Sequence, residues 1–566
     1  MALAVGILAL AAPPALAAAH PAAGTVGPVA AAWIGLLYYL SYSPWLGGLD
    51  YYWLYRPLVA GLLVGVILGQ PLAGATIGAT INLAYLGFIS AEGALPGDPS
   101  LAGYIGTAIA LAGHLSPAAA LALAVPIGLL GTVVWNVMMT SNSIFVHRAD
   151  AAAARGDIAA VERAALWYPQ GLLFLITAVP VFLAAWLGTS QVVLALGMIP
   201  PWLMQGLGVA GGLLAALGIA INMRFIFRGA AIGFFLIGYV VVVMLHWSLL
   251  PLALLGAAAA YVWVSAAEQH ASSGPSGPED GGPAPAGGPP AGGRLLTSRD
   301  VQAAWLRWFL FAQCSYSWER LQGTGFAMAM IPVIRRVWTT REQRAGALQR
   351  HLHFFNTEQT WGAVIPGAVA AMEETMALRA GSGQPPLADD AVHAVKTGLM
   401  GPMAGFGDTV DQGTVTPILL ALGISLTKAG SLLGPALFML LEGIWVVGVD
   451  YTTFMLGFAQ GRSTIESILS SGRIGRLTQG AQLLGGIVLG GLAATYVTLG
   501  TPVVLRVGAL AVPLQTGVLD KLLPGVLPLL FVLGVWALLG RGVRPVWLLA
   551  SILLFGLLGG ATGWWR

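Results

Sequence analysis

One run in the second half of the chain combines two carboxylates and an amide with a helix-breaking composition. The segment VKTGLMGPMAGFGDTVDQGTVTPILLALG begins near Lys396 and places Asp408, Asp411 and Gln412 among glycines, prolines and apolar residues. Charged groups are costly in apolar surroundings, so their presence there indicates function. Carboxylates accept hydrogen bonds and amides both donate and accept them, which suits a solute rich in hydroxyl groups. Asp408 and Asp411 would share one face if this stretch is helical, and they form the strongest site signal.

The first half carries a similar combination around two broken apolar segments. LDYYWLYRPLVAG contains Asp50 and Arg56, and GATINLAYLGFISAEGALPGDP contains Asn82, Glu92 and Asp98. A helix that gives way to a Gly/Pro-interrupted loop exposes backbone N–H and C=O groups, which suit a polyhydroxylated solute at membrane depth. Two simpler interpretations stay open, namely an ion pair between Asp50 and Arg56 and a solvated loop for Glu92 and Asp98.

Further polar clusters lie in the second half. YSWERLQGTGF brings a carboxylate, a guanidinium and an amide to a Gly-rich break, and HLHFFNTEQTW supplies Asn356, Glu358 and Gln359 before a segment turns apolar. AAMEETMA contains Glu373 and Glu374, for which a helix end that faces water is favoured. We predict that the ligand is bound by Asn82, Glu92, Asp98, Glu319, Gln322, Asn356, Asp408, Asp411 and Gln412, with Asp50, Arg56 and Arg320 in structural or gating roles.

The sequence contains no convincing enzyme site. It lacks a P-loop, a dinucleotide fingerprint, an HExxH motif and a GxSxG motif in a plausible setting. His351 and His353 have the wrong spacing for one helix face, and Cys314 is the single cysteine, so an internal disulfide is excluded. We expect no catalytic residue, no cofactor and no metal. The net charge of +3 is spread over loops and offers no face for nucleic acid.

The elements that must position these residues lie in a membrane. Apolar residues make up 57% of the 566 positions, charged residues 9%, and the mean hydropathy is +0.81. A soluble domain carries about 25% charged residues. No acid or base occurs between Arg163 and Arg224. Uncharged apolar stretches of about 20 residues span a bilayer as helices, so the composition predicts an integral membrane protein.

A Gly/Pro-rich linker divides the chain. Residues 271–293, ASSGPSGPEDGGPAPAGGPPAGG, cannot bury a core and predict a flexible tether. We expect an uncertain apolar segment at 1–27, a membrane domain at 28–270 and a second domain at 294–566. The second domain begins with charge-rich helices at the cytoplasmic surface. The loop His147–Arg163 carries three arginines and basic residues lie on both sides of the linker, so the positive-inside rule assigns both segments to the cytoplasm. Residues 1–20 are interpreted as a signal, an extra helix or a mis-set start.

The ordered motifs resemble one transporter family. A resemblance to the IIC subunit of the mannose-type (mannose–fructose–sorbose) phosphotransferase permeases is carried by LDYYWLYRPLVAGLLVGVILG and GATINLAYLGFISAEGALPGDP. A resemblance to the IID subunit is carried by SYSWERLQGTGFAMAMIPVIRR, RHLHFFNTEQ, AAMEE and VKTGLMGPMAGFGDTVDQGTVTPIL. Together they cover roughly 28–265 and 296–566.

This resemblance implies a sugar permease in which IIC and IID, here fused, form the membrane channel. A cytoplasmic IIB protein, recharged by IIA, phosphorylates the hexose or amino sugar as it is delivered, and the membrane subunits are not phosphorylated. The implied assembly is a homotrimer in the lipid of the bacterial plasma membrane, with a transport domain that moves like an elevator. The implied fold is an all-α polytopic bundle with broken or re-entrant helices and two related halves of opposite orientation.

The sequence departs from the family pattern in the expected sugar region. Gln70 stands where mannose-type proteins usually have Asp, and Asn82 where they commonly have Glu. GDTVDQGTVTP replaces GDxxFWGTxRP, so that Asp411, Gln412 and Thr416 take the place of an aromatic pair and an arginine. A more acceptor-rich pocket suits an amino sugar, an N-acetylhexosamine or another hydroxyl pattern. A facilitator or proton-coupled carrier on the same scaffold, independent of phosphorylation, is the main alternative, and a membrane enzyme is a weaker one.

Overall fold

The computed structural model describes ten stretches of the chain. They are residues 25–86, 97–188, 201–227, 231–247, 249–272, 294–382, 389–470, 473–507, 510–543 and 545–565. Glu92, the first 20 residues and nearly all of the predicted linker lie outside the described residues.

The first half forms a series of apolar helices. They are α1 (Pro28–Leu40), α2 (Pro57–Ile67), α3 (Pro71–Ala84), α4 (Pro99–Ala112), α5 (Pro117–Ala153), α6 (Ile158–Gly188), α7 (Pro201–Ile226), α8 (Ala231–Leu245) and α9 (Leu249–Ser272). A short 3₁₀ turn at Pro44–Leu46 and a π-helical turn at Asp50–Leu54 lie between α1 and α2. Each of α1 to α5 begins with proline, which has a preset φ and no N–H to leave unpaired at that position.

The second half begins with shorter helices and ends with long ones. They are α10 (Ser298–Phe311), α11 (Gly323–Val337), α12 (Arg341–Leu352), α13 (Gln359–Gly362), α14 (Val364–Gly381), α15 (Asp389–Gly407), α16 (Thr416–Lys428), α17 (Leu433–Ser470), α18 (Arg473–Tyr496), α19 (Val526–Gly540) and α20 (Pro545–Thr562). The π-helical segment Asp408–Val415 joins α15 to α16. A small antiparallel hairpin of β1 (Val504–Val507) and β2 (Leu510–Pro513) and the helical turns Gln515–Leu519 and Asp520–Leu522 precede α19.

The helices confirm the predicted all-α membrane fold. Four described helices are long and apolar enough to cross a membrane: Pro117–Ala153, Ile158–Gly188, Ala391–Lys428 and Leu433–Ala459. A fifth span results if Gln515–Leu522 and Val526–Gly540, which meet at a bend of 63°, cross together. The charge-rich helices α10 and α12 are not among these candidates, and their location at the cytoplasmic surface stays a prediction.

The α2–α3 hairpin is an example of a broken element. With 11 residues α2 is about 16 Å long, roughly half of the ~30 Å hydrocarbon core of a bilayer. Side chains at Gly61 and Gly78 would collide with the backbone of the facing helix, so these glycines allow close contact. A short, tightly packed helical pair of this kind fits a re-entrant hairpin.

The hydrophobic cores do not follow the division of the chain at the linker. One core joins helices of the first half to α16 and to α18–α20, with α8 and α9 packed on α18 and α7 packed on α19 and α20. The other core joins the end of α5 and the start of α6 to α10–α15. Each half of the sequence therefore buries apolar surface of the other half. The predicted kinship and opposite orientation of the halves stay a prediction.

Candidate functional site

A cavity of about 910 Å³ lies between the two halves of the chain. Residues from the α1–α2 connection, α5 and α6 line it on one side, and residues from the α10–α11 loop, the stretch after α12 and the end of α15 line it on the other. Ligand pockets for small molecules range from about 300 to 1,000 Å³. A single sugar ring fits this space.

The two π-helical turns face each other across the cavity. The turn Asp50–Leu54 presents Tyr51, whose hydroxyl donates to Oε1 of Gln412 at 2.8 Å. The Nε2 amide of Gln412 donates in turn to Oδ1 of Asp408 at 2.9 Å. One hydrogen-bonded row therefore runs from the first half of the chain to the second, and it ends on a carboxylate that lines the cavity.

Two amides of the opposite wall are fixed by local contacts. Oε1 of Gln322 accepts the backbone N–H of Thr357 at 2.9 Å, and Oδ1 of Asn356 accepts the hydroxyl of Tyr316 at 2.9 Å. An isolated β-bridge between Leu321 and Phe355 holds the loop before α11 beside the extended segment that follows α12. Both amides line the cavity in defined orientations.

Aromatic rings make up much of the remaining wall. The rings of Tyr51 and Tyr55 stack with centroids 5.3 Å apart, and Trp135 lies 5.9 Å from Tyr316. Such rings offer flat apolar surface together with a polar edge. A sugar ring, which has apolar C–H faces and a hydroxyl periphery, complements this mixture.

The cavity is acidic. Asp50, Glu358 and Asp408 are among its lining residues, and no lysine, arginine or histidine is found among the described residues that line it. The lining also includes seven amide side chains, among them Asn142 and Gln170. The site is therefore rich in hydrogen-bond acceptors and lacks a basic side chain among its described lining residues.

Glu358, which lines the cavity, and Asp411, which lies behind it, are bridged by the hydroxyl of Thr360. Glu358 precedes α13 and accepts the hydroxyl of Tyr52 at 3.0 Å and the backbone N–H groups of Thr360 and Trp361 at 3.0 and 2.8 Å. Asp411 is fully buried behind this wall. Its Oδ1 accepts the indole N–H groups of Trp361 and Trp445, both at 2.9 Å. The hydroxyl of Thr360 contacts both carboxylates.

The structure brings part of the predicted site together. The predicted residues that line the cavity are Asp50, Gln322, Asn356, Asp408 and Gln412. They come from both halves of the chain. Their roles as ligand contacts stay a prediction.

Other predicted residues lie away from the cavity for identifiable reasons. Asn82 is buried, and its Oδ1 accepts the backbone N–H of Leu58 at 3.2 Å. Asp98 caps α4 through Leu101 and accepts the hydroxyl of Tyr38 at 2.6 Å. Glu319 is half-exposed and pairs with His147 at 3.3 Å. Protein groups occupy the carboxylates of Asp98 and Glu319 and the side-chain oxygen of Asn82, whereas the buried Nδ2 of Asn82 has no hydrogen-bond partner among the described residues. The roles of these three residues as ligand contacts also stay a prediction.

The ion pair between Asp50 and Arg56 and the solvated loop for Asp98 are wrong interpretations, whereas the loop interpretation of Glu92 falls outside the described residues. Asp50 and Arg56 form no ion pair in the described structure: Asp50 lines the cavity, whereas the guanidinium of Arg56 lies over the ring of Tyr51 at 5.1 Å. Asp98 is buried, so it does not belong to a solvated loop. Arg320, which was expected in a structural or gating role, pairs with Asp150 of α5 at 3.2 Å.

The expectation that Asp408 and Asp411 share one helix face also fails. A π-helix has more residues per turn than an α-helix, so side chains four apart align better than side chains three apart. Asp408 accordingly contacts Gln412 and lines the cavity, while Asp411 points to the indoles of Trp361 and Trp445.

Glu373 and Glu374 do not face water as expected. Glu373 is fully buried, where it accepts Arg350 Nε at 2.9 Å and Trp338 Nε1 at 2.7 Å and lies 3.0 Å from His351 Nε2. Burial alone would raise the pKa of Glu373, but His351 and Arg350 outweigh it and hold the pKa at about 2. Burial lowers the pKa of His351 to about 4. Glu374 accepts the backbone N–H groups of Leu295 and Leu296.

Sequence reasoning missed several residues of this region. The tyrosines of LDYYWLYRP line the cavity, and their clustering beside two charges was an available signal. Glu442 and Asp450 of α17 are fully buried acids that the rule for charges in apolar sequence would have found. Asp450 Oδ1 accepts the indole N–H of Trp305 at 2.7 Å, and Glu442 Oε1 accepts the hydroxyl of Thr416 at 2.6 Å.

Comparison with family models divides the chain in two. Residues 28–262 match the model described as the PTS system sorbose-specific IIC component. Residues 295–565 match the model described as the PTS system mannose/fructose/sorbose family IID component. Both matches lie on the segments in which the sequence motifs were noted.

Individual proteins match each half. The mannose-specific EIID component of Escherichia coli K12 is 36% identical over 274 residues, which are 47% of this chain and 94% of that protein. The fructose permease IID component of Bacillus subtilis is 36% identical over 269 residues, which are 47% of this chain and 95% of that protein. The mannose-specific EIIC component of E. coli K12 is 34% identical over 220 residues, which are 38% of this chain and 81% of that protein.

Solved structures match slightly less than half of the chain. One, titled "Structure of membrane protein", is 35% identical and covers 48% of this chain and 99% of its own, with a TM-score of 0.44. A structure of the mannose transporter ManYZ in complex with microcin E492 has the same identity and coverage, with a TM-score of 0.29.

Proposed function

Because this chain belongs to the mannose/fructose/sorbose family of phosphotransferase-system permeases and carries its IIC and IID components in one polypeptide, we propose that it binds a hexose or amino sugar in the cavity between its halves. It is a multi-pass bacterial membrane protein and a sugar permease, and phosphoryl transfer is carried out by separate IIA and IIB proteins. The relatives favour this function over a carrier that works without phosphorylation.

The lining of the cavity supports a neutral or amine-bearing sugar. Sugar hydroxyls donate to the carboxylates of Asp50 and Asp408 and exchange hydrogen bonds with the amides of Gln322 and Asn356, while the aromatic rings cover an apolar face. An amino sugar carries a positive charge that the acidic lining attracts. This acceptor-rich lining is the observation that carries the proposal.

The same charge suits release of the product. Phosphorylation converts a neutral sugar into an anion of charge about −1.5 to −2 at neutral pH. With Asp50, Glu358 and Asp408 in the lining and no basic group among its described residues, the cavity repels this anion. Uptake and phosphorylation would thus be followed by electrostatic expulsion into the cytoplasm.

Contacts around the cavity support access from the cytoplasmic side. Trp318 and Phe354 line the cavity and are also exposed. The neighbouring Glu319 and Arg320 contact His147 and Asp150. These two residues lie in the last turns of α5 rather than in the expected loop, within the stretch that the positive-inside rule assigns to the cytoplasm. A cytoplasmic IIB protein would approach the sugar from here.

We extend the proposal to the assembly on the basis of the family resemblance. Three chains would form a homotrimer in the membrane lipid, each with an IIC-like domain at 28–270 and an IID-like domain at 294–566. The linker 271–293 would lie in the cytoplasm and fix the two components at equal amounts.

The decisive experiment is uptake into membrane vesicles that contain this chain. We expect a labelled hexose or hexosamine to accumulate as its phosphate only when IIA, IIB, the general phosphotransfer proteins and phosphoenolpyruvate are supplied. Vesicles without the chain serve as the control. Sugar phosphorylation by the purified chain with ATP alone would overturn the assignment.

A further inference from the structure

The hydroxyl of Thr360 bridges two carboxyl groups, and the hydrogen bonds of this bridge depend on which groups carry a proton. Its hydroxyl contacts Oε2 of Glu358 at 2.9 Å and also contacts Oδ2 of Asp411. A hydroxyl has one hydrogen to donate. If both carboxylates were ionised, one of these contacts would set two oxygen acceptors against each other with no hydrogen between them. One carboxyl group must therefore carry a proton.

The remaining contacts identify which one. Each oxygen of Glu358 already accepts a further hydrogen bond or more: Oε1 accepts Tyr52 Oη and Thr360 N, and Oε2 accepts Trp361 N. Together with the Thr360 hydroxyl, four donors point at Glu358, and such a set stabilises the ionised form. Oδ1 of Asp411 accepts two indole N–H groups, whereas its Oδ2 contacts the hydroxyl of Thr360. The consistent chain of donors runs from Asp411 to Thr360 to Glu358.

The surrounding charges favour the same arrangement. Several groups that become negative on losing a proton surround Glu358 and Asp411. They are Asp450 and Glu442 on α17, Asp408 on the same π-helical segment as Asp411, and Tyr51 and Tyr52 from the first half of the chain. The guanidinium of Arg56 lies over the ring of Tyr51 and forms no ion pair with these acids in the described structure. A second negative charge beside Glu358 would have no partner, and an unpaired buried charge is costly.

From this geometry we propose that Asp411 is a neutral carboxylic acid that donates through Thr360 and holds Glu358 in place as the charged acceptor of the cavity. Asp411 is thereby a positioning residue that acts through Glu358. The sugar role of Glu358 rests on the function proposed above, but the protonation of Asp411 does not. Deprotonation of Asp411 would place two charges around one hydroxyl, break the bridge and displace Glu358.

Two substitutions test the asymmetry of the pair. In Asp411→Asn the amide reproduces the neutral acid, because its oxygen can accept both indoles and its NH₂ can donate to Thr360. We expect sugar affinity within about threefold of wild type. In Glu358→Gln an NH₂ group meets donors, so affinity should fall at least about tenfold. Equal losses in both variants would overturn the proposal.

The pH dependence provides a second readout. Between about pH 6 and about pH 9, below the ordinary pKa of tyrosine, wild-type affinity should fall at the alkaline end as Asp411 loses its proton. In Asp411→Asn the part of this fall that comes from Asp411 should be absent, while any part that comes from Asp50 and Asp408, which line the cavity, should remain. Thr360→Val should weaken binding and Thr360→Ser should restore it. A pH profile that is identical in wild type and Asp411→Asn would contradict the inference.

Infrared spectroscopy separates failure of this inference from failure of the proposed function. The carbonyl stretch of a protonated carboxylic acid should be present in the sugar-free protein at neutral pH and reduced in Asp411→Asn, whatever the substrate is. If the band difference appears but no hexose or hexosamine binds, the proposed substrate class is wrong and the protonated pair stands. If sugar binds but the band is unchanged in Asp411→Asn, the proton assignment is wrong.

Discussion

Substitution of Gly407 by alanine perturbs the cavity without removing any polar group. Gly407 ends α15 with a helical φ of −62°, so alanine is compatible with its backbone. A Cβ there would lie 2.5 Å from Oε2 of Glu358 and 2.7 Å from its Cβ. Both distances are too short for contact between non-bonded atoms. The side chain of Glu358 must therefore move, and its hydrogen bonds to Tyr52 and Thr360 must lengthen or break.

The expected magnitude follows from two opposing effects. Alanine favours a helix over glycine by about 0.8–1 kcal/mol, whereas overpacking costs about 1–3 kcal/mol, so the free energy of unfolding should change little. Sugar binding has no such compensation. Loss of one hydrogen bond to a charged acceptor costs about 1.5–3 kcal/mol, and we expect affinity to fall about tenfold to hundredfold.

The assay is equilibrium binding of labelled sugar to detergent-purified Gly407→Ala, with thermal unfolding measured in parallel. Gly398→Ala is the matched control, because it lies on the same helix and nothing lies within 4 Å of a Cβ at that position. Its affinity should equal that of wild type. Wild-type affinity in Gly407→Ala, with the protein folded, would refute the role of Glu358 in the cavity.

Three further predictions concern the site, the linker and acid stability. Asn356→Ala and Asp408→Asn should each weaken sugar binding about tenfold to hundredfold in a folded protein, and affinity within about twofold of wild type in both would move the site elsewhere. Proteolytic cleavage in 273–293 should leave the two halves associated in mild detergent, and the protease should reach the linker only from the cytoplasmic side. Separation of the halves, or cleavage by protease added outside, would contradict the proposed arrangement. Since burial lowers the pKa of His351 from 6.5 to about 4, the neutral form is favoured in the fold, and stability should fall by about 3 kcal/mol as pH drops from 6.5 to 4. Denaturant titration of wild type and His351→Asn measures this, and equal acid losses would refute it.

The membrane fold was predictable because the chain has too few charged residues to cover a water-exposed surface. Proline and capping residues also mark where the helices begin. The location of individual polar side chains was not. Asp98 and Asp408 look alike in the sequence, since each follows glycine in a Gly/Pro-broken apolar run. Asp98 accepts a hydrogen bond from the hydroxyl of Tyr38, which lies 60 positions away in the sequence, whereas Asp408 accepts one from the neighbouring Gln412 and lines the cavity.

Local geometry accounts for the other misassignments. An α-helical spacing puts Asp408 and Asp411 on one face, and the π-helical segment separates them into a cavity residue and a buried one. The sequence around Glu373 predicts an acid at a helix end that faces water, because no basic residue lies close to it along the chain. Its partner Arg350 comes from α12 and is brought near only by the fold. Such partners are set by tertiary packing, which one sequence without its relatives does not specify.

The interleaving of the two cores limits what the linker can contribute. Contacts of α7 with α20, and of α8 and α9 with α18, are made between the IIC-like and IID-like parts. Either part alone would leave these apolar faces without their partner helices, so association needs no covalent tether once both are inserted. A tether acts before that point. It raises the effective concentration of one part near the other during assembly and prevents an excess of either part, which two separate chains could not ensure.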